Sequence, residues 1–299
     1  MGIFCGIYKA EALGENMGMK VLVTGSKGQL GTDVISELEQ RGLSAVGVDI
    51  EEMDITDPDS VMQVIGETQP DAVIHCAAYT AVDDAEDHED LCRRINAYGT
   101  ENVAKACNRY DIPLMYISTD YVFNGEGMRP WDPDDPREPL NVYGQTKYEG
   151  ELAVEKYTDK FFIVRISWVF GLHGKNFVKT MLKLAETHDH LNVVADQIGS
   201  PTYTPDLARL LVDMIQTNKY GRYHATNSGL CTWHEFATEI FFQKGIVMDL
   251  EPVSSEEFPT KAKRPHNSRM DKKKLIDNGF DLLPPWQDAL KRYLALLRP

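Results

Sequence analysis

The sequence predicts an α/β fold, a doubly wound parallel sheet followed by a smaller mixed α/β body. Two observations carry that expectation. From Met19 onward, short apolar runs alternate with stretches whose apolar residues recur every three or four positions, the side-chain periods of strand and helix. The first junction between such a run and such a stretch holds three glycines, Gly25, Gly28 and Gly31, where a parallel sheet hands its chain to a helix N-terminus.

The elements follow in order. Residues 21–23 form the first apolar run, and Leu30, Val34, Ile35 and Leu38 share one helical face before a second run at 45–48. Asp57 and Pro58 open another helix. A strand is expected at 72–76, a long helix over about 89–110 and a strand at 114–118. A proline-rich loop, 130–139, leads to a helix holding Tyr143 and a strand at 161–167. Strands separated by helices imply right-handed crossovers and a sheet covered on both faces. Past Gly171 the rhythm loosens into helices at 177–187, 206–217, 233–244 and 286–297, with short strands between.

Composition narrows the function. Of 299 residues, 42% are hydrophobic and 26% charged, and the formal net charge is -15. Such a field repels nucleic acid and anionic membrane surfaces, so neither is an expected partner. A phosphate-bearing ligand therefore needs a local device, a helix N-terminus or a few arginines. No apolar run approaches the roughly 18 residues that span a bilayer. The five cysteines, at 5, 76, 92, 107 and 231, contain no CxxC pair, which argues against a disulfide framework or a zinc site. A reducing cytoplasm is the expected compartment. Residues 1–18 carry no basic region, and Gly6 stands where a myristoylation signal needs Ser or Thr; an extension without structure is expected there.

The segment Thr24-Gly25-Ser26-Lys27-Gly28-Gln29-Leu30-Gly31 follows the first strand and opens a helix. Glycine allows the tight turn and the close approach of backbone to a pyrophosphate, and the helix N-terminus favours the anion. Asp49 ends the second strand about twenty residues on, where a carboxylate accepts from adenosine ribose hydroxyls and favours NAD. Lys27 pulls the other way, toward a 2′-phosphate, so NADPH and NADH both stay open. Asp54 and Ile55, in the next loop, are expected at the adenine. The expected organisation is a Rossmann-type dinucleotide-binding domain over 19–170, with 203–226 interleaved, and a substrate domain over 171–299.

Tyr143 and Lys147 form a YxxxK element, and at i and i+4 they project from one helix face. A phenol, with an ordinary pKa of about 10, needs a neighbouring ammonium to bring it into the working range. Upstream, Ser118 and Thr119 end the fourth strand, the edge where parallel sheets bind ligands; Thr119 is placed to hydrogen-bond a carbonyl oxygen. Asn96 either holds a water that relays protons to Lys147 or satisfies buried backbone groups.

In this order and on these elements, the glycine turn, Asn96, Thr119, Tyr143 and Lys147 resemble the extended short-chain dehydrogenase/reductases, over essentially the whole chain from Met19. Several strings are similar to those of one branch, the dTDP-4-dehydrorhamnose reductases: Gly28-Gln29-Leu30-Gly31, Ala77 to Asp83, Ser118 to Phe123, Pro139 to Lys147, Ser167-Trp168-Val169-Phe170 and Arg264 to Arg269. The resemblance implies reduction of the C4 ketone of dTDP-4-dehydro-β-L-rhamnose by NADPH or NADH. Tyr143 would give the proton, Lys147 would lower the Tyr143 pKa and hold the nicotinamide ribose, and Thr119 would orient the carbonyl. It also implies Ala77, Ala78 and Tyr79 beside the cofactor, Asp120 and Trp168 at the sugar or its nucleotide, and Arg264 and Arg269 at the diphosphate. No metal site is expected, because the glutamates that bridge some members find no match, and a homodimer is left open. Two alternatives remain: an epimerase or dehydratase that keeps its NAD, and a non-catalytic subunit resembling the regulatory subunit of methionine adenosyltransferase.

Overall fold

In the computed structural model, which describes residues 18–297, Val21, Leu22 and Val23 are fully buried on both faces of their strand. That is the environment of a central strand in a parallel sheet. The expected extension lies outside the described residues apart from Gly18. Six parallel strands build the main sheet: β1 (Lys20–Thr24), β2 (Ser44–Val48), β3 (Ala72–His75), β4 (Leu114–Thr119), β5 (Phe161–Ile166) and β6 (Gly221–His224). Their order across the sheet is β2-β1-β3-β4-β5-β6. The order reverses between β1 and β3, which opens a crevice at the carboxyl ends of those strands.

Alternate residues of β1 feed two different cores, as a period of two requires. Val21 and Val23 pack with Val34 and Leu38 of α1 (Gln29–Gln40). Leu22 packs with Val61 and Ile65 of α2 (Pro58–Thr68), Val103 of α3 (Thr100–Arg109) and Val154 of α4 (Val142–Tyr157). Asp57 caps α2 by accepting from the Asp59 N–H, with Pro58 at the first helical position.

The long helix expected over 89–110 is three pieces. Glu89–Arg93 and α3 are α-helical, and Arg94–Gly99 between them is π-helical. The wider turn carries Asn96, whose side chain reaches the backbone of Tyr79. Hydrophobic periodicity over such a span does not register one extra residue in a turn, and π-turns recur at functional sites.

A third core gathers aromatic side chains: Phe170, Tyr203, Phe236, Trp286 and Tyr293. They come from the paired short strands Val169–Phe170 and Thr202–Tyr203, α7 (Trp233–Lys244) and α8 (Trp286–Leu296), and Val178 and Met181 of α5 (Phe177–Leu184) pack among them. Between these elements the chain returns to the main sheet: α6 (Thr204–Ile215) buries Leu207 and Leu211 in the same core as α1, and β6 pairs with β5. Among the described residues, no helix is long and apolar enough to cross a membrane.

Charges are buried between α4 and the sheet. Glu151 and Arg165 have no exposure, and two guanidinium nitrogens of Arg165 donate to the two Glu151 oxygens at 2.8 Å each. Arg137 donates to the same carboxylate at 3.0 Å and Ser118 at 2.5 Å. This pins α4, which carries Tyr143 and Lys147, against the strand that ends at Thr119.

Candidate active site

The glycine turn has the local geometry its residues demand. Gly25 has φ +61, and a Cβ there would sit 2.8 Å from the Ala77 backbone. A Cβ on Gly31 would collide with the Gly25 carbonyl. Gly28 begins α1 with no side-chain cap, so the first N–H groups of the helix are left for a ligand. Gly25, Gly28, Gln29 and Leu30 line a cleft of about 940 Å³; Gly31 serves the close packing behind it.

Asp49, Asp54, Ile55, Ala77 and Ala78 line the same cleft. The Asp49 carboxylate is fixed in advance, accepting from the backbone N–H groups of Lys27 and Ile50 at 3.1 and 3.0 Å. A buried relay behind the turn has no sequence signature: Thr24 Oγ1 meets His75 Nδ1 at 2.6 Å, His75 Nε2 meets Thr100 Oγ1 at 3.1 Å, and Thr100 donates to the Asn96 carbonyl. Burial and the nearby Lys147 charge hold His75 neutral, its pKa pushed down to about 3. The glycine cradle, the uncapped helix and the preset carboxylate fit a dinucleotide.

At the other end, Asn141 caps α4 by accepting from the Gly144 N–H at 2.8 Å. That start places Tyr143 and Lys147 one turn apart, both lining the cleft with Thr119, Asp120 and Trp168. Lys147 Nζ donates to the Ile117 carbonyl at 2.7 Å and lies 4.1 Å from the centre of the Tyr116 ring. Burial pulls its pKa down to about 7, against the opposing pull of Glu151. Tyr143 is pushed well up from the ordinary phenol value by burial, while a hydrogen bond with Thr119 works the other way. The expected lowering of the Tyr143 pKa by Lys147 is therefore not what this arrangement produces: the ammonium is engaged with β4, and burial keeps the phenol protonated.

Thr119 Oγ1 donates to Asp120 Oδ1 at 3.1 Å, and Ser268 donates to Asp120 Oδ2 at 2.5 Å. Burial raises the Asp120 carboxyl to about 6. Trp168 holds φ +50, a backbone conformation rare for so large a side chain and a mark of strain kept at a site. Its ring stacks on Trp233 at 3.8 Å between centroids. Trp233, Arg94 and Lys175 also line the cleft; none is predicted from sequence.

Four expected positions differ. Asn96 is buried and outside the cleft wall; its Oδ1 accepts from the Tyr79 N–H at 2.8 Å and its Nδ2 donates to the Tyr79 carbonyl at 3.0 Å. It clamps a loop, which matches the backbone-satisfying alternative. Tyr79 is drawn out of the wall, its hydroxyl donating to Asp84. Arg264 reaches the cleft with its guanidinium already held by both oxygens of Asp83, at 2.9 and 2.8 Å. Arg269 stands outside the wall and donates to Asn267 Oδ1, because Trp131 binds the backbone of this segment at Asn267 and Arg269. Of the two arginines expected at the diphosphate, Arg264 lines the cleft and Arg269 does not.

Comparison with known proteins places this geometry in a family. A family model described as RmlD substrate binding domain matches residues 19–298. The spore coat polysaccharide biosynthesis protein SpsK of Bacillus subtilis (strain 168) is 42% identical, across 92% of this chain and 96% of its own. A dTDP-4-dehydrorhamnose reductase of Aggregatibacter actinomycetemcomitans is 40% identical, across 92% of this chain and 98% of its own. A crystal structure of dTDP-4-dehydrorhamnose reductase from Bacillus anthracis str. Ames in complex with NADP is 43% identical, with a TM-score of 0.91 across 94% of this chain and 100% of that one. A match that begins one residue before β1 and takes in the glycine turn, Thr119, Tyr143 and Lys147 makes this chain a member of the RmlD substrate-binding-domain family, to which dTDP-4-dehydrorhamnose reductases are its near relatives.

Proposed function

We propose that this chain reduces the C4 ketone of dTDP-4-dehydro-β-L-rhamnose to dTDP-L-rhamnose, the last step in making that nucleotide sugar, with NADPH or NADH as reductant. The observation that carries the reading is the meeting of Thr119, Tyr143 and Lys147 at one end of a cleft whose other end holds the glycine turn and Asp49. The near-full-length identity to dTDP-4-dehydrorhamnose reductases supports the substrate.

Each residue has a part in the chemistry. A reduced nicotinamide supplies the hydride when it is bound. Tyr143, kept protonated by burial, delivers its phenolic proton to the C4 oxygen as negative charge develops there. The Thr119 hydroxyl, beside the phenol, orients that oxygen by turning its one proton from Asp120 to it. Lys147, anchored on the Ile117 carbonyl at the same end of the cleft, holds the nicotinamide ribose. Trp168 and Trp233 offer a flat apolar wall on which a sugar face can lie. The free thiols of Cys76, Cys92, Cys107 and Cys231 support a reducing compartment, the cytoplasm.

Asp120, buried beside Thr119 with a raised pKa, favours one second reading: an epimerase or dehydratase that returns its hydride. Incubating the protein with dTDP-4-dehydrorhamnose and NADPH or NADH separates the two. The reductase forms one oxidised cofactor for each dTDP-L-rhamnose; an isomeric or dehydrated sugar formed with no net oxidation of cofactor would support the second reading instead.

A further inference from the structure

Ser268 comes to the reducing end of the cleft from 148 positions beyond Asp120. Asp120, which follows the last residue of β4, is buried, and its carboxylate is shared between two hydroxyls. Oδ1 accepts from Thr119 at 3.1 Å, and Oδ2 accepts from Ser268 at 2.5 Å. Thr119 and Asp120 line the cleft; Ser268, equally buried, stands behind its wall.

Backbone hydrogen bonds hold Ser268 in place from two sides. Its N–H donates to the Ile198 carbonyl at 2.8 Å, and the Ile198 N–H donates to the His266 carbonyl at 2.8 Å. On the other side, the Asn267 N–H donates to the Gly125 carbonyl at 2.9 Å and the Trp131 N–H to the Arg269 carbonyl at 2.8 Å. None of these bonds uses the Ser268 hydroxyl, which is given to the Asp120 carboxylate.

Thr119 has one hydroxyl proton, which Asp120 Oδ1 holds and a substrate ketone needs. When that proton turns to the ketone, a buried carboxylate loses a donor, which is costly unless other donors remain. Ser268 is the side-chain donor that remains. By stabilising charge on Oδ2 it also makes Oδ1 a weaker competitor for the Thr119 proton. Burial pushes the Asp120 pKa up to about 6, and the hydrogen bonds from Ser268 and Thr119 oppose that rise. Ser268 thus favours the ionised, acceptor-only carboxylate.

We propose that Ser268 is a positioning residue for ketone reduction: its hydroxyl holds the Asp120 carboxylate so that Thr119 can release its proton from Asp120 to the C4 oxygen. The inference deepens the reduction proposed above and rests on it.

Steady-state kinetics of the full chain with dTDP-4-dehydrorhamnose and NADPH or NADH test it, in a double-mutant cycle of wild type, Ser268→Ala, Asp120→Asn and both together. Ser268→Ala should lose on the order of tenfold in kcat, with KM for the sugar and Kd for the reduced cofactor within about twofold of wild type. The loss falls on kcat because the Thr119 bond strengthens as charge develops on the oxygen. In the Asp120→Asn background the same change should cost less than about twofold, since the carboxylate that Ser268 serves is gone. Wild-type kcat in Ser268→Ala, or an equal loss in both backgrounds, overturns the inference and leaves the proposed reduction standing. Loss of cofactor binding in Ser268→Ala would make its role structural and overturns the inference too. A wild type that oxidises no cofactor with this sugar overturns the proposed reduction and the inference together.

Discussion

Lys147 and Ile117 are joined by a 2.7 Å hydrogen bond from the ammonium to the backbone carbonyl, so the strand that ends at Thr119 also fixes the cation of the site. That position costs stability, because burial lowers the Lys147 pKa from its ordinary 10.5 to about 7. A lowered lysine pKa means the unfolded chain binds the extra proton more readily between those two values. The penalty is therefore full below pH 7 and fades as pH rises toward 10.5. Lys147→Met should raise the urea midpoint, by more at about pH 6 than at about pH 9. An equal gain at both pH values would contradict a buried ammonium.

Glu151 behaves in the opposite sense. Burial alone would raise its carboxyl, but Arg165, Ser118 and Arg137 outweigh burial and hold its pKa at about 2, below the ordinary 4.5. Its contribution is present above about pH 4.5 and is lost as pH falls toward 2. Glu151→Gln leaves Arg165 buried with a neutral partner, which should cost about 3–5 kcal/mol in chemical denaturation at neutral pH. The same variant should lose less further stability than the wild type on acidification through that window.

Trp233 stacks on Trp168 at the wall of the cleft. Trp233→Ala removes the partner that steadies a strained residue. An aromatic pair contributes about 0.5–1.5 kcal/mol beyond its buried area, so KM for the sugar substrate should rise about three- to tenfold with kcat changed less. A fall in kcat at constant KM would move Trp233 from substrate binding to the chemical step.

What was legible in the sequence follows from the range of the interactions. Gly25, Gly28 and Gly31 are readable because a turn and the close approach of neighbouring backbone are local demands. Tyr143 and Lys147 are readable because four residues of helix put two side chains on one face. The arginines are not: Arg264 is occupied by Asp83, 181 residues away, and Arg269 is turned aside by a segment docked on Trp131. Asn96 required knowledge of a π-turn that one extra residue creates. Trp233 and Ser268 enter the site only through the third, aromatic core and the loop folded over Asp120. Lys27 shows the same limit, since its meaning depends on whether Glu51 and Glu52 reach it.

Tyr143 is the proton donor in the proposed ketone reduction. The direct measurement is the initial rate of NADPH or NADH oxidation with dTDP-4-dehydrorhamnose, for the wild type and for Tyr143→Phe, with binding of the reduced cofactor measured on both. The wild type should oxidise cofactor in step with dTDP-L-rhamnose formation. Tyr143→Phe should lose on the order of 10²- to 10⁴-fold in kcat while still binding cofactor. Undiminished turnover in Tyr143→Phe would contradict the account.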